Sequence, residues 1–449
     1  MVFMVSKKVC LFLSIVICTS CLVGHKTIKY NAFPAEDLNL DIHEGMISQR
    51  AQRIKYKRGG ETCAIIKISK PIMVAQADRE EKWGYFQFPD IGITEDGILV
   101  VGWQMSDDSH KAYGKSSRRK YTPMISKNNG RTWYPQDKVY DASFKGSNII
   151  MSNNVKLQVK TPESKYIKTY TEFPQSVGRN GSYSYYKEEQ LPEDLRGVYF
   201  NYSRPRADSK VVHAILNDPG LLRYAIDDLM PIVWWGDIKE LDDHSIVAGI
   251  YPTYYLDDKG IPAEGGVSFY KSKDEGYNWD VLSKIPFIKD GIADVKGDKV
   301  FTEPAFEILK DSTFICIMRS GSSSPMYRSF SYDKGVNWTK PEPFTPNGVK
   351  PKLLLLKNGV LVLSSGRPGI QLRFSLDGMG KQWTAPIDMI PFMNADGTYT
   401  RDVSCGYTSI IEADNESFYL VYSDFTTFNY KRERRKTIWF RKISVSLKH

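Results

Sequence analysis

The sequence predicts an all-β fold, a six-bladed β-propeller with boxed turns, on three observations. A hairpin pattern recurs five times, a Ser-x-Asp/Asn-x-Gly-x-x-Trp box recurs four times, and the spacing of the hairpins leaves room for one further unit. Repeats of this length mark folds in which each unit buries its face against its neighbour.

The hairpins read "IGITEDGILVVGW" from Ile91, "IKELDDHSIVAGIY" from Ile238, "FEILKDSTFICIMR" from Phe306, "LLLLKNGVLVLSSGR" from Leu353 and "SIIEADNESFYLVYSD" from Ser409. Each is an apolar strand, a tight polar turn and a second apolar strand. Asp-Gly and Asn-Gly supply the positive φ angles of two-residue hairpin turns, and the flanking β-branched residues suit half-buried strands.

Turn positions fall at Asp96, Asp242, Asp311, Asn358 and Asn415, so the gaps are 146, 69, 47 and 57 residues. The first is about two repeat lengths, and "NVKLQVK" and "SKVVHAIL" are candidate strands for a hidden unit. Five visible hairpins and one hidden one give six four-stranded units.

The boxes are "SKNNGRTW" (126–133), "SKDEGYNW" (272–279), "SYDKGVNW" (331–338) and "SLDGMGKQW" (375–383). Ser and Asp oxygens can accept backbone N–H bonds, the Gly takes a conformation that a Cβ disfavours, and the Trp plugs the space beneath. Their carboxylates are structural. A β-sandwich, the rival fold, has no need of this box after hairpin upon hairpin.

The chain opens "MVFMVSKKVCLFLSIVICTSCLVG", with Lys7 and Lys8 before an apolar run, which reads as a secretory signal. Thr19-Ser20-Cys21 resembles the end of a bacterial lipobox, so a lipid anchor at Cys21 and a periplasmic or cell-surface location are expected. Residues 1–21 are then the signal, 22–80 an N-terminal extension and 81–449 the propeller.

Loss of Lys7 and Lys8 takes the formal charge from +9 to +7. That is a mildly basic surface with no nucleic-acid footprint. Cys63, Cys316 and Cys405 remain in the body, an odd and scattered set that argues against a disulfide framework and a zinc site. No metal or cofactor is expected.

Propellers bind ligands on the central axis, so useful polar residues should fall at similar phases of different repeats. Glu303 lies before the outgoing strand of its hairpin and Arg319 ends the return strand. Arg367 repeats the phase of Arg319. Tyr407 and Gln87 occupy the phase of Glu303, and Asp107 and Asp108 lie just beyond the first return strand.

Four boxes on a six-unit count, with Glu303, Arg319, Arg367 and Tyr407 in this order, resemble the sialidase (neuraminidase) superfamily from about Trp83 onward. The resemblance implies an exo-acting, retaining glycoside hydrolase that takes a glycan ending in an acidic sugar, sialic acid or similar. Such enzymes depart from the usual two-carboxylate scheme by using a tyrosine nucleophile. It implies Tyr407 as that nucleophile and Glu303 as its base. Asp107 or Asp108 would be the acid and base for the leaving group, and Arg319 and Arg367 the clamp on the substrate carboxylate. The family's "FRIP" arginine is replaced, because "FQFP" puts Gln87 there, and Gln104 stands where a second basic residue is often found. These two departures bear on the substrate and leave the Tyr-Glu-Asp set intact.

Two other classes fit the same residues: a non-catalytic glycan-binding lipoprotein, and a propeller enzyme acting on another sugar, such as a lyase of uronic-acid polysaccharides. Plainer readings apply elsewhere. His110 reads as a solvated loop residue, and the basic run 430–436 as a hairpin edge. Trp234, Trp235, Tyr251, Tyr254 and Tyr255 fit blade packing as well as sugar stacking.

Overall fold

The computed structural model describes residues 50–108, 123–160, 169, 174–204, 208–229, 234–322, 324–367, 369–391 and 403–448. The export segment with Cys21 and the loop residue His110 lie outside the described residues.

Nearly all the regular structure of the described residues is strand, and their one α-helix is a single turn, Ala293–Lys296. Each turn signal closes an antiparallel hairpin. Tyr85–Thr94 pairs Leu99–Met105, Trp234–Glu240 pairs Ile246–Thr253, and Thr302–Ile308 pairs Phe314–Arg319. Val349–Leu355 pairs Leu361–Gly366, and Thr408–Asp414 pairs Ser417–Asp424. The long gap holds a further antiparallel run, Asn148–Ile150, Lys156–Lys160, Val198–Ser203 and Lys210–Asn217.

First strands of successive units pack side by side. Trp234–Glu240 meets Thr302–Ile308, which meets Val349–Leu355, then Thr408–Asp414, then Tyr85–Thr94. The circle closes through Ala142–Phe144 and Asn148–Ile150. Such closure about an axis is a β-propeller arrangement. The cores lie between neighbouring sheets: Ile315 and Ile317 of one face Leu353, Leu361 and Leu363 of the next. Each such side chain contributes about 1.5–3 kcal/mol by leaving water.

The four boxed segments form near-identical turns. The Ser Oγ accepts the Gly N–H at 2.9 Å in 126–133, 2.9 Å in 272–279, 2.8 Å in 331–338 and 3.0 Å in 375–383. Trp133, Trp279 and Trp383 donate Nε1–H to the Gly carbonyl of their own turn, whereas Trp338 reaches Ser283 Oγ on the neighbouring sheet.

Two features have no counterpart in the repeat pattern. Lys210–Asn217 pairs in parallel with Asn278–Ile285 and so joins two units along their outer edges. Gly178–Asn180, Tyr183–Lys187 and Leu222–Ile226 form a separate three-stranded satellite sheet. Upstream, Gln52–Arg58, Glu61–Ile68 and Ile72–Gln76 share a sheet with Thr408–Asp414, Ser417–Asp424 and Thr437–Leu447.

One backbone device recurs where the first strands approach the axis. Thr302 pairs Arg319 but Ala305 pairs Ile317, so two residues, Glu303 and Pro304, oppose one. The same one-residue slip occurs at Phe88-Pro89, between the pairs Gln87 with Gln104 and Asp90 with Gly102. It occurs again at Lys350-Pro351, between Val349 with Gly366 and Lys352 with Ser364. This is a β-bulge. Its leading residue has positive φ in all three: 51° at Phe88, 52° at Glu303 and 44° at Lys350.

Candidate active site

A cavity of about 1200 Å³ opens where the bulges converge. Phe88, Glu303, Lys350 and Arg367, the last with φ 56°, all line it. Left-handed backbone costs a non-glycine residue of order 1–3 kcal/mol, and such strain clusters at functional sites. Here four strained residues from three units face one space.

Glu303 is 7% exposed and carries three contacts. One carboxylate oxygen accepts the Tyr407 hydroxyl and, at 3.0 Å, Arg319 Nη1–H; the other accepts the Lys350 backbone N–H at 2.8 Å. Burial alone would raise its carboxyl, but the charges of Arg319 and Lys350 and the Tyr407 hydrogen bond outweigh burial and hold it below its ordinary value. The Tyr407 phenol is pushed well above its ordinary value, first by burial and then by the charge of Glu303. The pair therefore rests as a neutral phenol donating to a carboxylate, poised for proton transfer in one direction.

Arg319 and Arg367 come together on Ser322, whose Oγ accepts from Arg319 Nη2 at 2.8 Å and from Arg367 Nη1 at 3.2 Å. Arg367 also donates to the Cys405 carbonyl at 3.0 Å. This approach needs glycine on both sides. A Cβ at Gly366 would lie 2.4 Å from the Gly406 carbonyl oxygen, and one at Gly406 would lie 2.7 Å from Arg367 Cβ.

Of the two candidate aspartates, Asp108 lines the cavity; its carboxylate accepts the Trp83 indole N–H at 3.0 Å. Loss of water around that carboxyl raises it above the usual aspartate range, although Trp83, Arg367 and Gln104 pull the other way. Asp107 is adjacent but does not line the cavity. Gln104 lies in the wall beside Asp108 and donates to the Ser106 carbonyl at 3.2 Å.

Gln87 corrects an expectation. It does not face the cavity: it is 0% exposed, and neither side-chain polar atom has a hydrogen-bond partner. The bulge is the reason, since a one-residue slip turns side chains to the opposite face of a strand. The position matching Glu303 is Phe88, whose ring lies 4.7 Å from that of Tyr407, edge to face. Gln87 matches Thr302 instead.

Lys350 and Lys352 were missed in the sequence, and both line the cavity. Lys350 reaches Tyr251 Oη at 3.2 Å and lies 5.9 Å from the centre of the Tyr407 ring. Lys352 lies close enough to counter, by its charge, the burial that raises the Asp90 carboxyl. The signal was available: "FP" at 88, "EP" at 303 and "KP" at 350 share a residue before proline at one phase. Among the aromatics, Trp234, Trp235, Tyr251 and Tyr254 line the cavity, whereas Tyr255 is tied to Asp218 and Ser268. Among the described residues no cluster of His, Cys, Asp and Glu is placed to hold a metal ion, and Cys63, Cys316 and Cys405 are free thiols. No helix among them is long and apolar enough to cross a membrane.

No protein-family model matches the chain, and neither does any curated protein. Among solved structures, a protein of unknown function from Dyadobacter fermentans superposes with TM-score 0.53 and 15% identity, over 85% of this chain and 99% of that one. The NanB sialidase from Streptococcus pneumoniae gives TM-score 0.45 and 12% identity, over 83% of this chain and 70% of that one. The Hadza microbial sialidase Hz136 gives 0.44 and 12%, over 88% and 73%. The first superposition shows that the two chains share a fold over most of their length.

Proposed function

We propose that this chain is a retaining, exo-acting glycoside hydrolase on a six-bladed propeller of the sialidase type, releasing a terminal acidic sugar from a glycan. The observation that carries the reading is the Tyr407–Glu303 hydrogen bond inside a strained, cation-rimmed cavity. A phenol is a weak nucleophile at neutral pH and needs a base in contact; Glu303 is in contact and is kept ionised by Arg319 and Lys350.

In the first step Tyr407 Oη attacks the anomeric carbon while its proton passes to Glu303. The bond to the leaving oxygen breaks as Asp108 donates its proton there. In the second step Asp108 takes a proton from water, the hydroxide oxygen attacks the anomeric carbon, the Tyr407–sugar bond breaks, and Glu303 returns its proton to Tyr407. Two inversions give retention. Arg319, Arg367 and Lys350 hold the acidic group of the sugar.

The buried Gln87 and the cavity-facing Phe88 favour a second reading of substrate only: an acidic sugar other than sialic acid, since two arginines rather than three face it. A panel of glycans with acidic termini, read by the mass of the released sugar, separates the two. Tyr407→Phe should abolish release, and a fluorinated substrate analogue should leave a covalent adduct on Tyr407. Near-normal turnover in that variant sinks the tyrosine mechanism. We also infer export and a lipid anchor at Cys21, for which loss of membrane fractionation in Cys21→Ala is the test.

A further inference from the structure

The cavity is larger than one sugar needs. At about 1200 Å³ it exceeds the roughly 300–1,000 Å³ of pockets that hold a drug-sized ligand, and the reacting groups occupy one wall. A further part of the lining is the satellite sheet. Its strands come from two excursions of the chain, one between Lys156–Lys160 and Val198–Ser203, the other between Lys210–Asn217 and Trp234–Glu240. Tyr183, Tyr185 and Tyr224 from this sheet line the cavity together with Tyr254 from the ring.

This wall is fixed in place. Tyr185 and Tyr254 pack ring to ring at 5.0 Å, Tyr224 and Tyr254 at 5.3 Å, and Tyr183 and Tyr224 at 6.0 Å. Tyr185, Tyr224 and Tyr254 are 4%, 8% and 7% exposed. The Leu222 N–H donates to the Tyr254 carbonyl at 2.9 Å, and a Cβ at Gly178 would lie 2.8 Å from Pro262. Because the rings pack on one another, they offer the cavity phenol rims rather than open faces. A phenol rim supplies a hydroxyl that both donates and accepts, which is the complement of a sugar hydroxyl.

Asp298 links the two walls. Its carboxylate lies 4.0 Å from Arg319 Nη2, and its charge, after burial, helps to raise the Tyr183 hydroxyl.

We infer that the satellite sheet forms a second sugar subsite, in which tyrosine hydroxyls bind a further residue of the chain, so that the substrate is an oligosaccharide rather than one sugar on a small leaving group. This rests on the proposed function for the reacting wall. Loss of one neutral hydrogen bond in such a subsite costs about two- to tenfold.

The test uses two substrates sharing a terminal sugar: sialyllactose and an aryl sialoside, or the matching pair for whichever sugar the panel releases. Tyr183→Phe should lower kcat/KM two- to tenfold on the trisaccharide and leave the aryl glycoside unchanged. Equal loss on both, or no loss on the trisaccharide, overturns the subsite. Tyr183 is only half-buried, so this variant keeps the fold, and a melting curve verifies that. Calorimetry on Tyr407→Phe gives an independent readout: the trisaccharide should bind more tightly than the free terminal sugar, and equal affinity overturns the subsite. Trisaccharide binding that depends on Tyr183, in a protein that cleaves neither substrate, would sustain the subsite and remove the hydrolase reading.

Discussion

The Glu303 hairpin and the first hairpin share one backbone and present different chemistry. Both slip by one residue before a proline, both hold the leading residue at φ near 50°, and both turn that residue into the cavity. In one it is a carboxylate held by Arg319, Lys350 and Tyr407; in the other it is Phe88, with an apolar edge against Tyr407. Behind Phe88, Gln87 is sealed from water with no partner. The bulge fixes where a side chain points, and the residue before proline decides what it does there.

The largest expected effect is at Glu303. Glu303→Gln keeps the shape and removes the base, so kcat should fall by about 10²–10⁴-fold, measured on the sugar that the panel identifies. A fall below tenfold would mean that the Glu303 bulge is no more catalytic than that of Phe88.

The next pair separates the two neighbours in the first hairpin. Phe88→Arg places a guanidinium in the cavity and should tighten a carboxylate-bearing sugar by about tenfold, as a charge-assisted hydrogen bond does. Gln87→Arg buries a charge without a partner and should cost at least about 3 kcal/mol of stability with no gain in binding. Titration calorimetry and thermal melting read both, and the reverse result would return Gln87 to the cavity.

A smaller effect concerns pH. Glu303 must be ionised to accept a proton and lies below its ordinary value, whereas Asp108 must hold a proton and lies above its own. The kcat/KM profile should therefore rise as Glu303 loses its proton and fall as Asp108 loses its own. Lys350→Met removes a cation that favours ionised Glu303, so the acid limb should move to higher pH while the alkaline limb stays. Movement of the alkaline limb alone would disconnect Lys350 from Glu303.

The smallest effect is on stability. Gln87→Met replaces a buried amide without partners by an apolar chain of similar size and should stabilise by about 1–2 kcal/mol, read as a rise in Tm. A loss would show that the amide is satisfied.

Much of the architecture was legible because its signals are local. Asp-Gly turns and the Ser-x-Asp-x-Gly-x-x-Trp box announce themselves in a few residues, and Tyr407, Glu303, Arg319 and Arg367 stand at phases that the hairpins mark. Lys156–Lys160 and Lys210–Asn217 could be named only as candidates, since no turn signal brackets them. Counting phase through "FQFP" missed the slip, because a bulge leaves no mark on hydrophobic alternation; the proline was its trace. The choice between Asp107 and Asp108 depended on Trp83, 25 residues away in sequence. The satellite sheet was invisible, since its strands of three and five residues carry no repeat.

The sheet that joins the two ends of the described chain has a consequence for when a site exists at all. Ala64 pairs Leu447 and Ile72 pairs Phe440, so Glu61–Ile68 and Ile72–Gln76 pair with the last described strand and act as a latch across nearly the whole chain. Contacts of such separation carry a loop-closure cost that makes them slow to form. Tyr407 borders Thr408–Asp414, within the latch sheet, whereas Glu303 belongs to the interior of the ring. The phenol and its carboxylate therefore face each other across a seam. A chain that ends before Thr408 holds Glu303, Arg319 and Arg367 but lacks the strand that seats Tyr407, so the reacting pair exists only once the last hairpin has joined the ring.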